Sequence, residues 1–91
     1  MPLTRGEIVG YDQDRLAFKF TMLNNGEVVS CQISDAALDN LAGMVGTESF
    51  ARQAQFLSLR DAIERMASDL FDKQPHLNGS IIRIFTKHVS P

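Results

Sequence analysis

The residues of this chain whose types could do chemistry are one cysteine and two histidines. Cys31 lies in the segment EVVSCQIS, His76 lies in the turn-like QPHLNG, and His88 follows twelve positions later. A catalytic cysteine needs a base, a cation or a helix N-terminus beside it to form the thiolate, and zinc ligands recur at short, characteristic spacings. No such spacing links these three residues. The sequence therefore predicts no catalytic residue, no metal site and no cofactor.

The position of Cys31 follows from a predicted β-hairpin. Residues 15–23 alternate between an apolar face and a more polar one. The apolar face carries Leu16, Phe18, Phe20 and Met22, and the other carries Ala17, Lys19 and Thr21. A second alternating run follows Asn25 and Gly26, a pair that a two-residue type I′ turn favours. This turn places Phe20 opposite Cys31, so we expect the thiol to be a buried, unreactive core group.

The hairpin leads into a predicted short helix. Ser34 has the side chain of an N-cap, and Gly43 suits the left-handed residue that ends many helices. Asp35 lies in the first turn, where a negative charge interacts favourably with the helix dipole. We interpret Asp35 and Asp39 as solvated helix residues.

A second, longer helix is predicted next. Residues from Glu48 to about Lys73 include no proline or glycine, which favours one continuous helix with Thr47 as its N-cap and Pro75 as its end. Its apolar stripe is Phe56, Leu59, Ile63, Met66, Ala67 and Leu70, and its charged side is Asp61, Arg65, Asp69 and Lys73. We interpret the charged side as a solvent-facing surface.

The first two turns of this helix present a different apolar surface. Phe50, Ala54 and Leu57 project onto the side that the charged residues occupy further along. In a continuous helix, which the sequence favours, either the loop of residues 43–48 or another subunit must cover them. Alternatively, residues 58–61, SLRD, fit a capping box and divide the helix in two. The three residues are the candidate protein interface.

The last predicted element is a strand over residues 80–89, which Gly79 leads into. Ile82 and Ile84 are its expected core face. Ile81, Arg83, Phe85 and Lys87 lie on the other face. Residues 3–9 are a further candidate for a short edge strand.

Together these elements predict an α+β fold in a single domain of residues 1–91. The expected architecture is a small antiparallel sheet of three to four strands, with the helices packed on one face. A chain of 91 residues is too short to form two separate cores.

Composition bounds the function. The formal charge is −2, and the nine Lys and Arg residues are scattered, so we expect no nucleic-acid partner. No run of apolar residues is long enough to cross a membrane or to serve as a signal peptide. A lone cysteine cannot form an internal disulfide. We therefore expect a cytoplasmic protein.

Several segments of the chain resemble a family of short, mostly proteobacterial proteins catalogued as a domain of unknown function. The segments are RLAFKF, VVSCQISDAAL and LRDAIERMASDLF. The matching positions are Phe20, Ser34 before Ala37 and Leu38, and Arg60 and Ile63 followed by Ala67 and Phe71. The resemblance covers nearly the whole chain and implies no activity, cofactor or catalytic residue. Leu57 and Leu59 are more apolar than the resemblance leads us to expect, which favours a contact surface there.

Two function classes stay open. The favoured one is a non-catalytic interaction or regulatory module that acts as a homodimer or with a protein partner. The alternative is a small-molecule-binding protein or small enzyme, with a site between sheet and helix that uses Arg60, Glu64 or Gln32. A formed pocket around a buried carboxylate or arginine would support the alternative.

Overall fold

The structure is a computed structural model that describes residues 3–73 and 81–89. The strands are β1 (Thr4–Asp12), β2 (Ala17–Asn24), β3 (Glu27–Ser34) and β4 (Ile82–Ile84). The helices are α1 (Asp35–Ala42), α2 (Arg52–Ser58), α3 (Arg60–Lys73) and α4 (Thr86–Val89), and a 3₁₀ turn (Ser49–Ala51) precedes α2. The sheet order is β1-β2-β3-β4, which confirms the α+β class.

The β2–β3 hairpin has the predicted register. Phe20 pairs with Cys31, and Asn25 and Gly26 form the turn with φ angles of 53° and 87°. Leu16 was wrongly assigned to the strand. Its φ of 51° belongs to the preceding turn, and its side chain is 60% exposed. The alternation therefore extends one residue less toward the N-terminus than the sequence pattern indicated.

β1 confirms the predicted edge strand but is longer and irregular. Two register shifts against β2 lie between Arg5 and Ile8 and between Ile8 and Gly10. At the first, the Glu7 amide donates to Thr21 Oγ1 at 2.9 Å. A Cβ built on Gly6 would lie 2.5 Å from the carbonyl oxygen of Thr21, so only glycine fits this bulge.

The last strand differs from the prediction in length and direction. β4 has three residues and runs parallel to β3, with Ile82 beside Cys31 and Ile84 beside Ile33, and the segment between the two strands contains helices, as a parallel crossover connection usually does. The chain then turns into α4, with the His88 amide donating to the Phe85 carbonyl at 2.9 Å. Ile84 is fully buried, as expected for the core face. The predictions for Pro75, His76 and Gly79 lie outside the described residues.

The core lies between the sheet and the helices. Phe56 of α2 packs on both Phe18 and Phe20, with ring centroids 4.7 and 5.0 Å apart. The predicted apolar stripe is confirmed, since Ile63 and Ala67 of α3 are fully buried and Leu59, Met66 and Leu70 pack against them. The charged side of α3 is exposed, as expected.

The preference for one continuous helix is wrong. The helix is interrupted at Leu59, whose φ and ψ of −112° and 9° are not helical. Phe56 on α2 and Ile63 on α3 are both fully buried, whereas Phe50, Ala54 and Leu57 stay exposed, so the break does not bring the second apolar surface into the core. Ser58 does not act as a capping residue, because its hydroxyl donates to the carbonyl of Gln55 at 2.8 Å.

A candidate protein-interaction face

The three residues of the candidate interface lie together on the surface. Phe50 is in the 3₁₀ turn and is 87% exposed, while Leu57 on α2 is 47% exposed and Ala54 lies between them, also exposed. The loop of residues 43–48 leaves them uncovered. We call the surface formed by Phe50, Gln53, Ala54 and Leu57 the α2 face.

The α2 face has no charge. Between Ser49 and Leu59 the chain carries a single charged residue, Arg52, and its side chain points inward with 5% exposure. The exposed surface of α3, by comparison, carries five charged residues. Depletion of charge together with an exposed aromatic residue is the composition that distinguishes the core of protein interfaces from the remaining surface.

Arg52 anchors α2 to α1. Its Nη1 donates to Asp39 Oδ1 at 2.7 Å and to Gln55 Oε1 at 2.8 Å. Its Nε lies 3.5 Å from Asp35 Oδ1, and neither of these two buried atoms makes a hydrogen bond with another described residue. Two carboxylates therefore balance one buried guanidinium, as burial of a charge requires.

Asp39 also binds the loop of residues 43–48, which leads from α1 to the 3₁₀ turn. Besides Arg52, its carboxylate accepts hydrogen bonds from Thr47 Oγ1 at 2.6 Å, from Gln55 Nε2 at 3.0 Å and from the Gly46 amide at 3.2 Å. The hydrogen bonds from Arg52, followed by those from Gln55 and Thr47, hold the pKa of Asp39 well below its usual range.

These contacts overturn two expectations. Asp35 and Asp39 are not merely solvated helix residues, although Ser34 does cap α1 through a hydrogen bond to the Ala37 amide. Thr47 is not an N-cap, because its hydroxyl is committed to Asp39 and Glu48 occupies the cap position without a side-chain bond. The two carboxylates bind groups on α2 and β1, and the Thr47 hydroxyl binds the Asp39 carboxylate instead of the helix that follows it.

The anchor also reaches β1. Tyr11 donates its hydroxyl proton to Asp35 Oδ2 at 2.6 Å, and this hydrogen bond raises the pKa of Tyr11. α2, which follows Phe50, is thus held to α1 by Arg52 and Gln55, and α1 is held to β1 by Tyr11. An aromatic side chain on a turn next to a fixed helix has less conformational entropy to lose on binding than one on a free loop.

An open groove of about 600 Å³ lies beside the α2 face. It is lined by Val9, Gly10, Tyr11, Asp12, Gln13, Lys19, Ser49 and Phe50. Tyr11 pairs with Phe18 of the core face, whereas Gly10 pairs with Lys19 of the opposite face. Because the lining comes from both faces, the groove crosses the outer edge of β1.

Of the three residues named for the alternative site between sheet and helix, Gln32 lies apart from the other two. Arg60 Nε donates to Glu64 at 2.9 Å, and Arg5 also donates to Glu64 and to Asp61, so these charges fasten β1 to α3. Gln32 alternates with core residues of β3 and lies on the opposite face of the sheet. The structure therefore does not bring Arg60, Glu64 and Gln32 to one place.

Of the cysteine and the two histidines, the structure describes Cys31 and His88. Cys31 is buried, and burial raises the pKa of its thiol to about 12, which confirms the core assignment. His88 Nδ1 accepts from the Phe85 amide at 2.9 Å, and burial together with the charges of Lys87 and Lys73 lowers the pKa of His88. In the described part of the chain, no cluster of three or more His, Cys, Asp or Glu side chains could hold a metal ion.

The sequence interpretation missed Arg52, Gln55 and Asp39 as the residues that position the candidate interface. One signal could have found Arg52, since it is the sole charge in an eleven-residue stretch. An isolated charge among apolar and neutral residues is either a surface group or a buried anchor. The opposing carboxylates of α1 were the available partners.

The fold and this surface define a small α+β domain with a candidate contact face. The chain belongs to the family described as "Protein of unknown function (DUF1488)", whose pattern it matches over residues 6–82. It is similar to a protein of unknown function from the same family in Shewanella loihica PV-4, whose crystal structure has been solved. The two share 24% identity with a TM-score of 0.77, over 90% of each chain, which supports the fold.

No curated protein matches the chain. Within residues 3–73 and 81–89, no helix has the length and apolar character needed to traverse a bilayer.

Proposed function

We propose that this protein is a non-catalytic interaction module that binds another protein chain through the α2 face. The observation that carries the proposal is Phe50, an 87% exposed aromatic side chain in a segment whose one charge is turned inward. Leaving a phenylalanine and a leucine in water forgoes about 1.5–3 kcal/mol of burial for each. A contiguous apolar surface on a small domain commonly marks a contact site.

The inward contacts support the same function. Arg52, Asp39 and Gln55 make a buried polar cluster that holds the 3₁₀ turn and α2 in place without lining the groove. The cluster is thus a support for the surface above it. Rigid aromatic anchors at the centre of a neutral patch are typical of the residues that dominate binding energy.

The test compares two double variants of the full chain. Phe50→Glu with Leu57→Glu places two charges on the α2 face. Val28→Glu with Val45→Glu is the matched control, because it adds the same charge at two apolar residues that are 68% and 97% exposed elsewhere. Circular dichroism should show both variants folded.

Association is then measured for the wild type and both variants by sedimentation and by affinity capture from bacterial lysate. We expect the α2-face variant alone to lose self-association or a captured protein. Equal behaviour of the two variants, in every association that the wild type makes, would contradict the proposal.

We further place this interaction in the bacterial cytoplasm. The single cysteine is buried as a free thiol, which suits a reducing compartment. Nucleic acid is a poor candidate for the partner, since the α2 face offers no cation for phosphate contacts.

A further inference from the structure

We infer that the occupant of the α2 face is a second copy of this chain, and that the two copies also meet through the outer edge of β1 at Gly10–Asp12. This inference rests on the proposed function and adds the partner and the mode of contact. It follows from four features of the surface around Phe50: its continuity, its size, the edge strand that it includes and its charge.

The α2 face and the groove form one continuous surface. Phe50 belongs to the α2 face and also lines the groove, where it stands next to Val9, Gly10 and Tyr11. Val9 is 63% exposed, and a Cβ built on Gly10 would meet no atom within 4 Å. A partner that covers Phe50 therefore also lies over the edge of β1.

The α2 face by itself offers a small contact area. A helix of seven residues is only about 10 Å long. A stable interface covers about 800 Å² on each partner. Extending the contact along the groove to β1 supplies more area from the same side of the molecule.

The edge of β1 is suited to strand pairing over a short stretch. β1 is the terminal strand of the sheet, so one side of its backbone has no strand partner among the described residues. The register shifts on the N-terminal side of Gly10 disrupt the regular spacing there, and Gly10, Tyr11 and Asp12 pair regularly with β2. Bulges of this kind protect an edge strand, so pairing is confined to the segment beside Phe50.

The charge of the combined surface favours a second copy. Asp12 and Lys19 are its charged residues, and they pair with each other at 3.1 Å. A surface whose charges balance does not repel its own copy, whereas a surface with one sign of charge would. Two identical strands related by a two-fold axis are antiparallel and present matching donors and acceptors to each other.

The first experiment measures the dimer dissociation constant by sedimentation of the full chain. Val9→Lys places a charge at the proposed edge, and Val28→Lys is the control at a valine of similar exposure on β3. Because the two-fold axis brings the introduced lysines together, we expect about tenfold weaker dimerisation for Val9→Lys and no change for the control.

The second experiment follows amide hydrogen exchange of the wild type and therefore does not depend on the folding of any variant. Raising the protein concentration should slow exchange at residues 8–13 and leave residues 26–30 at the hairpin turn unchanged.

Three results would overturn the inference. A wild type that stays monomeric at every concentration rules out the second copy, while capture of another protein through the α2 face would still support the proposed function. Equal dimerisation of Val9→Lys and Val28→Lys, or exchange at residues 8–13 that is independent of concentration, rules out the β1 contact. If the β1 contact is ruled out by either of the last two results, loss of the dimer in Phe50→Glu with Leu57→Glu would still identify the α2 face as the interface.

Discussion

The β2–β3 hairpin and the segment from the 3₁₀ turn through α2 differ in the kind of side chain that each turns inward. In the hairpin, Phe20 and Cys31 point inward and are almost fully buried. In the α2 segment, Arg52 and Gln55 point inward beside Phe56, while Phe50 points into solvent. The comparison shows that apolar residues mark the buried side of an element only where no stronger interaction, such as a buried ion pair, fixes the orientation of that element. Two carboxylates on α1 fix the orientation of α2.

The largest effect is expected in the hairpin. Phe20→Ala should lower the free energy of unfolding by about 3–5 kcal/mol, because it removes an aromatic ring that packs on Phe56 and leaves a cavity. Urea denaturation followed by circular dichroism measures this loss. Val28→Ala, on the exposed side of the same hairpin, should change stability by less than about 0.5 kcal/mol. A loss below about 1 kcal/mol for Phe20→Ala would mean that the hairpin does not carry the core.

The second effect tests whether the inward side of α2 is held by charge. Asp39→Asn keeps the size of the side chain but leaves Arg52 with Asp35 as its one remaining carboxylate, and should cost about 2–3 kcal/mol. The same denaturation experiment on Asp69→Asn, at an exposed position of α3, should give a change within about 0.5 kcal/mol. Equal stability of the two variants would show that the cluster contributes nothing measurable.

The same carboxylate predicts a pH dependence. The pKa of Asp39 is lowered in the folded protein by its hydrogen bonds with Arg52, so the unfolded chain takes up a proton first as the pH falls. Its stabilising contribution is complete above the unfolded pKa of about 4 and is lost progressively below it. Urea midpoints between pH 6 and pH 3 should fall more steeply for the wild type than for Asp39→Asn. Parallel slopes would contradict this assignment.

A smaller loss is expected where β1 packs on the hairpin. Gly6→Ala adds a methyl group 2.5 Å from the backbone carbonyl of Thr21, which a rotamer change cannot relieve. We expect a loss of about 1–3 kcal/mol from the forced shift of β1. Glu7→Ala, at the next residue of the bulge, serves as the control, and unfolding curves of the two variants should separate clearly. Coincident curves would mean that the bulge adapts freely.

The smallest effect on stability is expected on the outward side of α2. Phe50→Ser should change the free energy of unfolding by less than about 0.5 kcal/mol, because the ring has little contact within its own chain. The same variant should weaken association measured by sedimentation. Loss of stability comparable to that of Phe20→Ala would show that Phe50 belongs to the core and would remove the contrast between the two regions.

The sequence alone determined the elements whose signals are local. The hairpin register followed from alternation around Asn25 and Gly26, the start of α1 from Ser34, and the core side of α3 from its apolar period. These signals depend on neighbouring residues in the chain and on backbone geometry that any fold must obey.

Tertiary structure decided the features that depend on residues far apart in the chain. Arg52 and Asp39 are thirteen positions apart and come together only when α1 and α2 pack on the same sheet face. That contact holds the Arg52 side of α2 toward α1, and Phe50 is left in solvent. The direction of β4 was likewise set by the path of the helices before it. Periodicity shows which faces of an element differ. A face that carries a charge turns inward only where paired groups offset the electrostatic cost of burying that charge. Those partners are supplied by the fold and cannot be found from the sequence pattern of one element.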